Sequence, residues 1–143
     1  MKIPVMLSIK ALQTYHEQEP DKIELLTEGF LEHRDSGWEM TYEESELTGM
    51  AGVTTSFFVE EEKITLTRTG KLRSQMVFQQ GVTHESLYRM EFGAMMISVT
   101  ASEIRSEITE QGGMVDLVYA IEIENSTAGT VRYHLDIRPA AGA

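Results

Sequence analysis

The stretch from Ile64 to Gln80 constrains the fold most strongly, because apolar and polar residues alternate on both sides of a single glycine. Side chains of a β-strand point alternately to its two faces. Apolar residues therefore share one face of the first half, which ends in Arg68, and threonines share the other. Gly70 interrupts the alternation, which then resumes. The pattern predicts a strand, a tight turn and a second strand.

Similar alternation recurs along the chain, between short clusters of turn-forming residues. About ten strand-like segments result, joined by connections of hairpin length, which is typical of an all-β sandwich or barrel. A long antiparallel sheet tends to curl and close, because closure removes its edges. The sequence thus predicts an all-β, antiparallel up-and-down β-barrel of about 8–10 strands. One domain spans residues 1–143, with its core at about 3–138.

Three segments carry more specific expectations. Residues 102–110 fit a short helix or a strand, and the strand is favoured because the rest of the chain is strand-like. Asp35-Ser36-Gly37 has the composition of a three-residue hairpin turn in which glycine takes the positive φ angle. Residues 47–52 hold two glycines and are expected to form a loop.

Composition and charge narrow the class of protein. The chain has no cysteine, which excludes a disulfide scaffold and Cys-ligated metal sites and fits a cytoplasmic location. Its net charge of −11 comes from 23 acidic and 12 basic residues. Without a local basic patch, such a surface repels nucleic acid. No signal peptide or long apolar run is present. We therefore expect a soluble protein that binds neither nucleic acid nor membranes.

A family resemblance emerges from several short motifs in order. These are TyrGluGluSer at 42–45, ThrThr at 54–55, LeuThrArgThrGly at 66–70, MetValPhe at 76–78, Tyr88, PheGly at 92–93 and TyrAlaIle at 119–121. Over roughly residues 3–138 the chain resembles DUF1934, a bacterial family of uncharacterised proteins. The resemblance implies a calycin or lipocalin-like antiparallel barrel and no established activity. Lipocalins carry a Gly-x-Trp near their first strand, whereas Gly37 and Trp38 are adjacent and lie in the third, so lipocalin ligand preferences do not transfer.

Arg68 occupies a position on an apolar face and therefore requires a partner, because desolvating an unpaired charge costs several kcal/mol. The strand after Gly37 offers one, since its apolar face ends in a carboxylate. That face comprises Trp38, Met40, Tyr42 and Glu44. We expect Arg68 to meet Glu44 or a nearby interior carboxylate, with Tyr42 or Tyr88 adding a hydroxyl. Arg68 then either anchors an anionic ligand head group or forms a structural ion pair, the interpretation that the sequence favours.

Methionines and phenylalanines are expected to form much of the remaining interior. They are Met40, Met76, Met90, Met95 and Met96, with Phe58, Phe78 and Phe92. Methionine lines adaptable apolar pockets and also fills ordinary cores, and the sequence leaves both interpretations open. The candidate ligand-binding residues are Arg68, Glu44, Tyr42, Tyr88, Trp38, Met40, Met76 and Phe78.

No catalytic or metal-binding pattern is found. The four histidines lack ligand spacing, and no phosphate-binding glycine loop or nucleophile elbow is present. We expect no cofactor. Three functions remain: a barrel that binds a small apolar or amphipathic ligand, a filled barrel that acts as a structural or interaction protein and forms a homodimer, and, least favoured, an enzyme.

Overall fold

The structure is a computed structural model that describes residues 2–15, 19–46, 50–90, 93–124 and 126–140. These residues form ten strands. They are β1 (Lys2–Tyr15), β2 (Asp21–Arg34), β3 (Gly37–Glu43), β4 (Val53–Val59), β5 (Lys63–Gly70), β6 (Ser74–Gln79), β7 (Thr83–Met90), β8 (Gly93–Thr109), β9 (Gly112–Ile123) and β10 (Ser126–Pro139). No helix long and apolar enough to cross a membrane occurs among the described residues.

The strands form one antiparallel sheet in the order β6-β5-β4-β3-β2-β1-β10-β9-β8-β7. Strands that are consecutive in sequence pair with each other, except β6 and β7, which stand at the two ends of this order. β1 pairs with β10 along eleven residues of each. The sheet curls into a nearly closed barrel, and the predicted all-β up-and-down barrel is confirmed.

The barrel closes at a seam between β6 and β7. Isolated bridges join Arg73 to Arg89 and Gln79 to Val82 across this seam, without a continuous ladder between them. β1 and β10 are therefore central strands of the sheet, and its two edge strands, β6 and β7, meet where they are connected.

The inner faces of the strands supply the core. In β4 and β6 every second side chain is buried, as the alternating sequence predicts. The largest fully buried side chain is Phe78 of β6, and fully buried leucines come from β1, β2, β5, β9 and β10.

One sequence-based expectation is refined and another is wrong. Residues 102–110 are strand, but they continue β8 rather than forming a separate strand, with a register shift between Ala101 and Glu103. The predicted three-residue turn is wrong: Arg34 pairs with Gly37, and Asp35 takes the positive φ of 42°. Gly37 is needed for space instead, because a Cβ there would collide with the backbone carbonyl of Val59. Of the predicted loop at 47–52, residues 47–49 lie outside the described residues.

Candidate ligand-binding cavity

A row of polar side chains crosses the inner wall near the C-terminal end of β3. Tyr42 pairs with Thr55 of β4, and Thr55 pairs with Arg68 of β5. Residues directly opposite on neighbouring antiparallel strands point to the same face, so these three side chains are adjacent. Glu44 follows Tyr42 by two residues and is buried like it. Alternation along three separate strands thus brings the polar groups together.

Thr55 and Glu44 form the best-defined contact of this row. The Thr55 hydroxyl donates a hydrogen bond to Glu44 Oε2 at 2.5 Å. Thr55 is 0% exposed and Glu44 is 7% exposed. Thr54 and Glu43, each one residue earlier in the chain, form an equivalent pair on the outer surface, where the Thr54 hydroxyl donates a hydrogen bond to Glu43 at 3.0 Å. A hydrogen bond to a charged group is stronger than one between neutral groups, and the inner pair is shielded from water.

Tyr42 stays neutral in this environment. Burial raises the pKa of its phenol far above the usual value near 10, because the phenolate would lose its hydration. The charge of Glu44 and a hydrogen bond with its carboxylate raise the pKa further, whereas the positive charge of Arg68 acts in the opposite direction. The Tyr42 side chain therefore remains a hydroxyl donor at physiological pH.

These polar groups face a cavity of about 470 Å³ inside the barrel. The cavity is lined by Ile9, Ala11, Gln13, Ile23, Leu25, Tyr42, Glu44, Met50, Arg68, Met76, Met95, Ile97, Tyr119, Ile121, Ile123 and Tyr133. Most of these side chains are apolar, and the charged ones, Glu44 and Arg68, lie on the same part of the wall. Predominantly apolar concave sites with a few convergent polar groups are typical of small-molecule sites, and the volume lies within their usual range of about 300–1,000 Å³.

Of the eight sequence-predicted residues, the structure places Arg68, Glu44, Tyr42 and Met76 around this cavity. Met40 and Phe78 are fully buried in the core and are not among the lining residues. Trp38 lies at the other end of β3, where its ring contacts that of His33 at 4.6 Å between centroids. Tyr88 pairs with Met95 through β7 and β8, but its side chain lies outside the described residues.

The expected methionine and phenylalanine wall is only partly present. Met76 and Met95 line the cavity. The prediction that Phe58 points into the interior is wrong, because Phe57 is the inward residue of β4. Met96 is half-buried and does not line the cavity. The Met90 side chain and Phe92 lie outside the described residues.

Sequence reasoning missed the aromatic residues of the facing wall. Tyr119 and Tyr133 line the cavity, and their rings stack with 6.3 Å between centroids. Phe78 packs against Tyr119 at 4.5 Å, so the core continues beneath the cavity. Both tyrosines occupy apolar-face positions of alternating strands, and that signal could have identified them as interior residues. Within the described part of the chain, no group of three or more His, Asp or Glu side chains is arranged to hold a metal ion.

Comparison with known proteins supports the same fold. A family model described as a domain of unknown function, DUF1934, matches residues 7–137. The chain belongs to the DUF1934 family. An uncharacterised β-barrel protein of Bacillus subtilis (strain 168), YwiB, is 23% identical over 120 residues, which cover 84% of this chain and 82% of YwiB. The crystal structure of B. subtilis YwiB superimposes with a TM-score of 0.88 at 19% identity, covering 98% of this chain and 94% of that one.

Proposed function

We propose that this DUF1934 barrel binds a small amphipathic molecule, with the apolar part inside the cavity and the polar end at Arg68 and Tyr42. The observation that supports this most is the position of charged side chains on one part of an otherwise mostly apolar cavity wall. A filled barrel would place apolar side chains in that volume instead, since protein interiors are packed as densely as organic crystals.

The polar groups of the cavity indicate the chemistry of the ligand's polar end. The Arg68 guanidinium donates several hydrogen bonds in a planar arrangement that suits a carboxylate, sulfonate or phosphate. The Tyr42 hydroxyl belongs to the same cross-strand row, on the other side of Thr55, and stays protonated. We therefore infer an anionic head group, bound by Arg68, on an apolar body.

The calycin or lipocalin-like relationship and a cytoplasmic location are parts of the same proposal. Ten strands in an up-and-down order with an interior cavity support the first. Ligand binding inside a closed antiparallel barrel is a known use of this architecture. The cysteine-free composition supports the second.

Titration with a fluorescent probe tests the proposal. Anilinonaphthalene sulfonate has an apolar ring system and an anionic sulfonate, and we expect it to bind one site per chain. Met76→Trp places a larger side chain in the cavity and should abolish binding. Arg68→Met keeps an apolar stem and removes the guanidinium, and it should weaken binding by about 10-fold or more, because a hydrogen bond to a charged group contributes about 1.5–3 kcal/mol.

Arg89→Met is the matched control, because Arg89 is exposed on the outer surface. It should leave binding unchanged. Urea titration of each variant verifies that the barrel is folded. Equal affinity of the Arg68 and Arg89 variants, or undiminished binding after Met76→Trp, would show that the probe does not use this cavity.

A further inference from the structure

Strand β2 is longer than its pairing with β3. It pairs with β1 from Asp21 to Glu32 without a register shift. Its ladder with β3 covers only Phe30 to Arg34. Within the described residues, the segment Asp21–Gly29 is therefore paired on one side only. We call this segment the free edge of β2.

The free edge has the properties of a strand that can accept another. It contains no proline, and its register with β1 is continuous. Proteins protect an edge with proline, bulges, very short strands or charged side chains, and of these the free edge has only the charged side chains Asp21, Lys22, Glu24 and Glu28. Two of its apolar side chains are well exposed, Ile23 at 43% and Leu26 at 69%. Unpaired backbone groups beside exposed apolar side chains are suited to β-strand addition.

The sequence of the free edge is complementary to itself. If two copies pair antiparallel around a two-fold axis at Leu25, Lys22 of each copy lies opposite Glu28 of the other. Such opposite-charge pairs stabilise neighbouring strands. Ile23 then lies opposite Thr27, and no like charges meet.

Other registers are less favourable. An axis at Glu24 places this carboxylate opposite its own copy, and an axis at Leu26 places Glu24 opposite Glu28. Like charges directly opposite are destabilising. An axis at Ile23 pairs only the five residues from Asp21 to Leu25. The Leu25 register uses the whole free edge.

We propose that two copies of this chain form a homodimer by antiparallel pairing of their free edges, centred on Leu25. The two Lys22–Glu28 pairs place opposite charges at the interface itself, which reduces there the general repulsion between two chains of net charge −11. The second copy would lie beside the opening between β2 and β3. That opening is lined by Leu26, Phe30 and Thr41, and also by Tyr42, which belongs to the ligand cavity as well.

Analytical ultracentrifugation of the full chain tests the proposal. The wild type should reach twice the 16.1 kDa mass of one chain as concentration rises. Lys22→Glu and Glu28→Lys should each weaken dimerisation by about tenfold, since each places like charges opposite twice. The double variant should recover most of the lost affinity. Lys71→Glu, with the same charge change at an exposed position in the connection between β5 and β6, is the control and should leave the dimer intact.

Cysteine cross-linking checks the register, because the chain has no cysteine of its own. Leu25→Cys should form a disulfide-linked dimer on mild oxidation, since residues opposite each other across antiparallel strands lie within disulfide distance. Leu26 is more exposed, but in this register it faces Glu24 of the other copy, so Leu26→Cys should form little or no disulfide-linked dimer. The proposal is overturned if the wild type stays monomeric. A monomer that binds an added strand peptide at this edge overturns it as well, because the edge then serves a different partner. Equal cross-linking of the two cysteine variants would also contradict it, as would a double charge variant that does not recover the affinity of dimerisation.

Discussion

The buried hydrogen bond between Thr55 and Glu44 makes a quantitative prediction about stability. Thr55→Val retains the shape of the side chain and removes the hydroxyl that donates to Glu44 at 2.5 Å. Because Thr55 is 0% exposed and valine fills the same space, no water molecule can take the position of the lost hydroxyl. A hydrogen bond to a charged group contributes about 1.5–3 kcal/mol, so the free energy of unfolding should fall by about 2 kcal/mol.

Urea denaturation measures this loss, with the fluorescence of the single tryptophan, Trp38, as the probe. With an m-value of about 2 kcal/mol/M, the midpoint should fall by about 1 M. Thr54→Val is the matched control, since Thr54 donates to Glu43 on the outer face at 3.0 Å. Exposed contacts of that kind contribute little, so the control should lose less than about 0.5 kcal/mol. Equal losses for both variants would refute the argument that the inner polar row is shielded from water.

Three further predictions concern pH and packing. The pKa of Tyr42 is raised in the folded state, so its contribution to stability is complete below pH 10 and is lost as pH rises above it; Tyr42→Phe should reduce the loss seen in alkaline denaturation. His134 Nδ1 lies 2.6 Å from Asp116 Oδ1, and this hydrogen bond raises the pKa of the histidine. The contribution of this pair to the free energy of unfolding should therefore be complete below pH 6.5 and decline as pH rises. The decline should be less than about 1 kcal/mol, because the pair is partly exposed. In urea midpoints measured across pH, His134→Gln should remove this decline. Gly37→Ala should lower the free energy of unfolding by about 1–3 kcal/mol, because the new Cβ would collide with the Val59 carbonyl; an unchanged thermal midpoint would contradict this close approach.

The barrel could be predicted because alternation is a local signal. The alternation within each strand identifies its inner face, and connections of hairpin length leave few alternatives for the order of the strands. The same signal indicated that Arg68 and Glu44 point inward. Their position beside one cavity, together with Tyr42, depends on the register of three strands, in which Tyr42 pairs with Thr55 and Thr55 with Arg68.

Other features of the site depend on distances across the barrel, which sequence patterns do not contain. Tyr119 and Tyr133 approach the cavity from strands far along the chain. Met40 and Phe78 share the inner face as predicted, but their position along the barrel axis places them in the packed core instead. The free edge of β2 arises from a difference between strand lengths in space, and the alternating pattern of β2 alone does not reveal it.

Native mass spectrometry of the protein purified from its own host tests the central claim most directly. If the cavity binds an amphipathic molecule, the spectrum should contain chains that carry one additional small molecule, released by collisional activation. The Met76→Trp variant, prepared identically, should lack this additional mass because its cavity is filled. A spectrum that shows only the unliganded mass of the wild type under all growth conditions would contradict the proposed function.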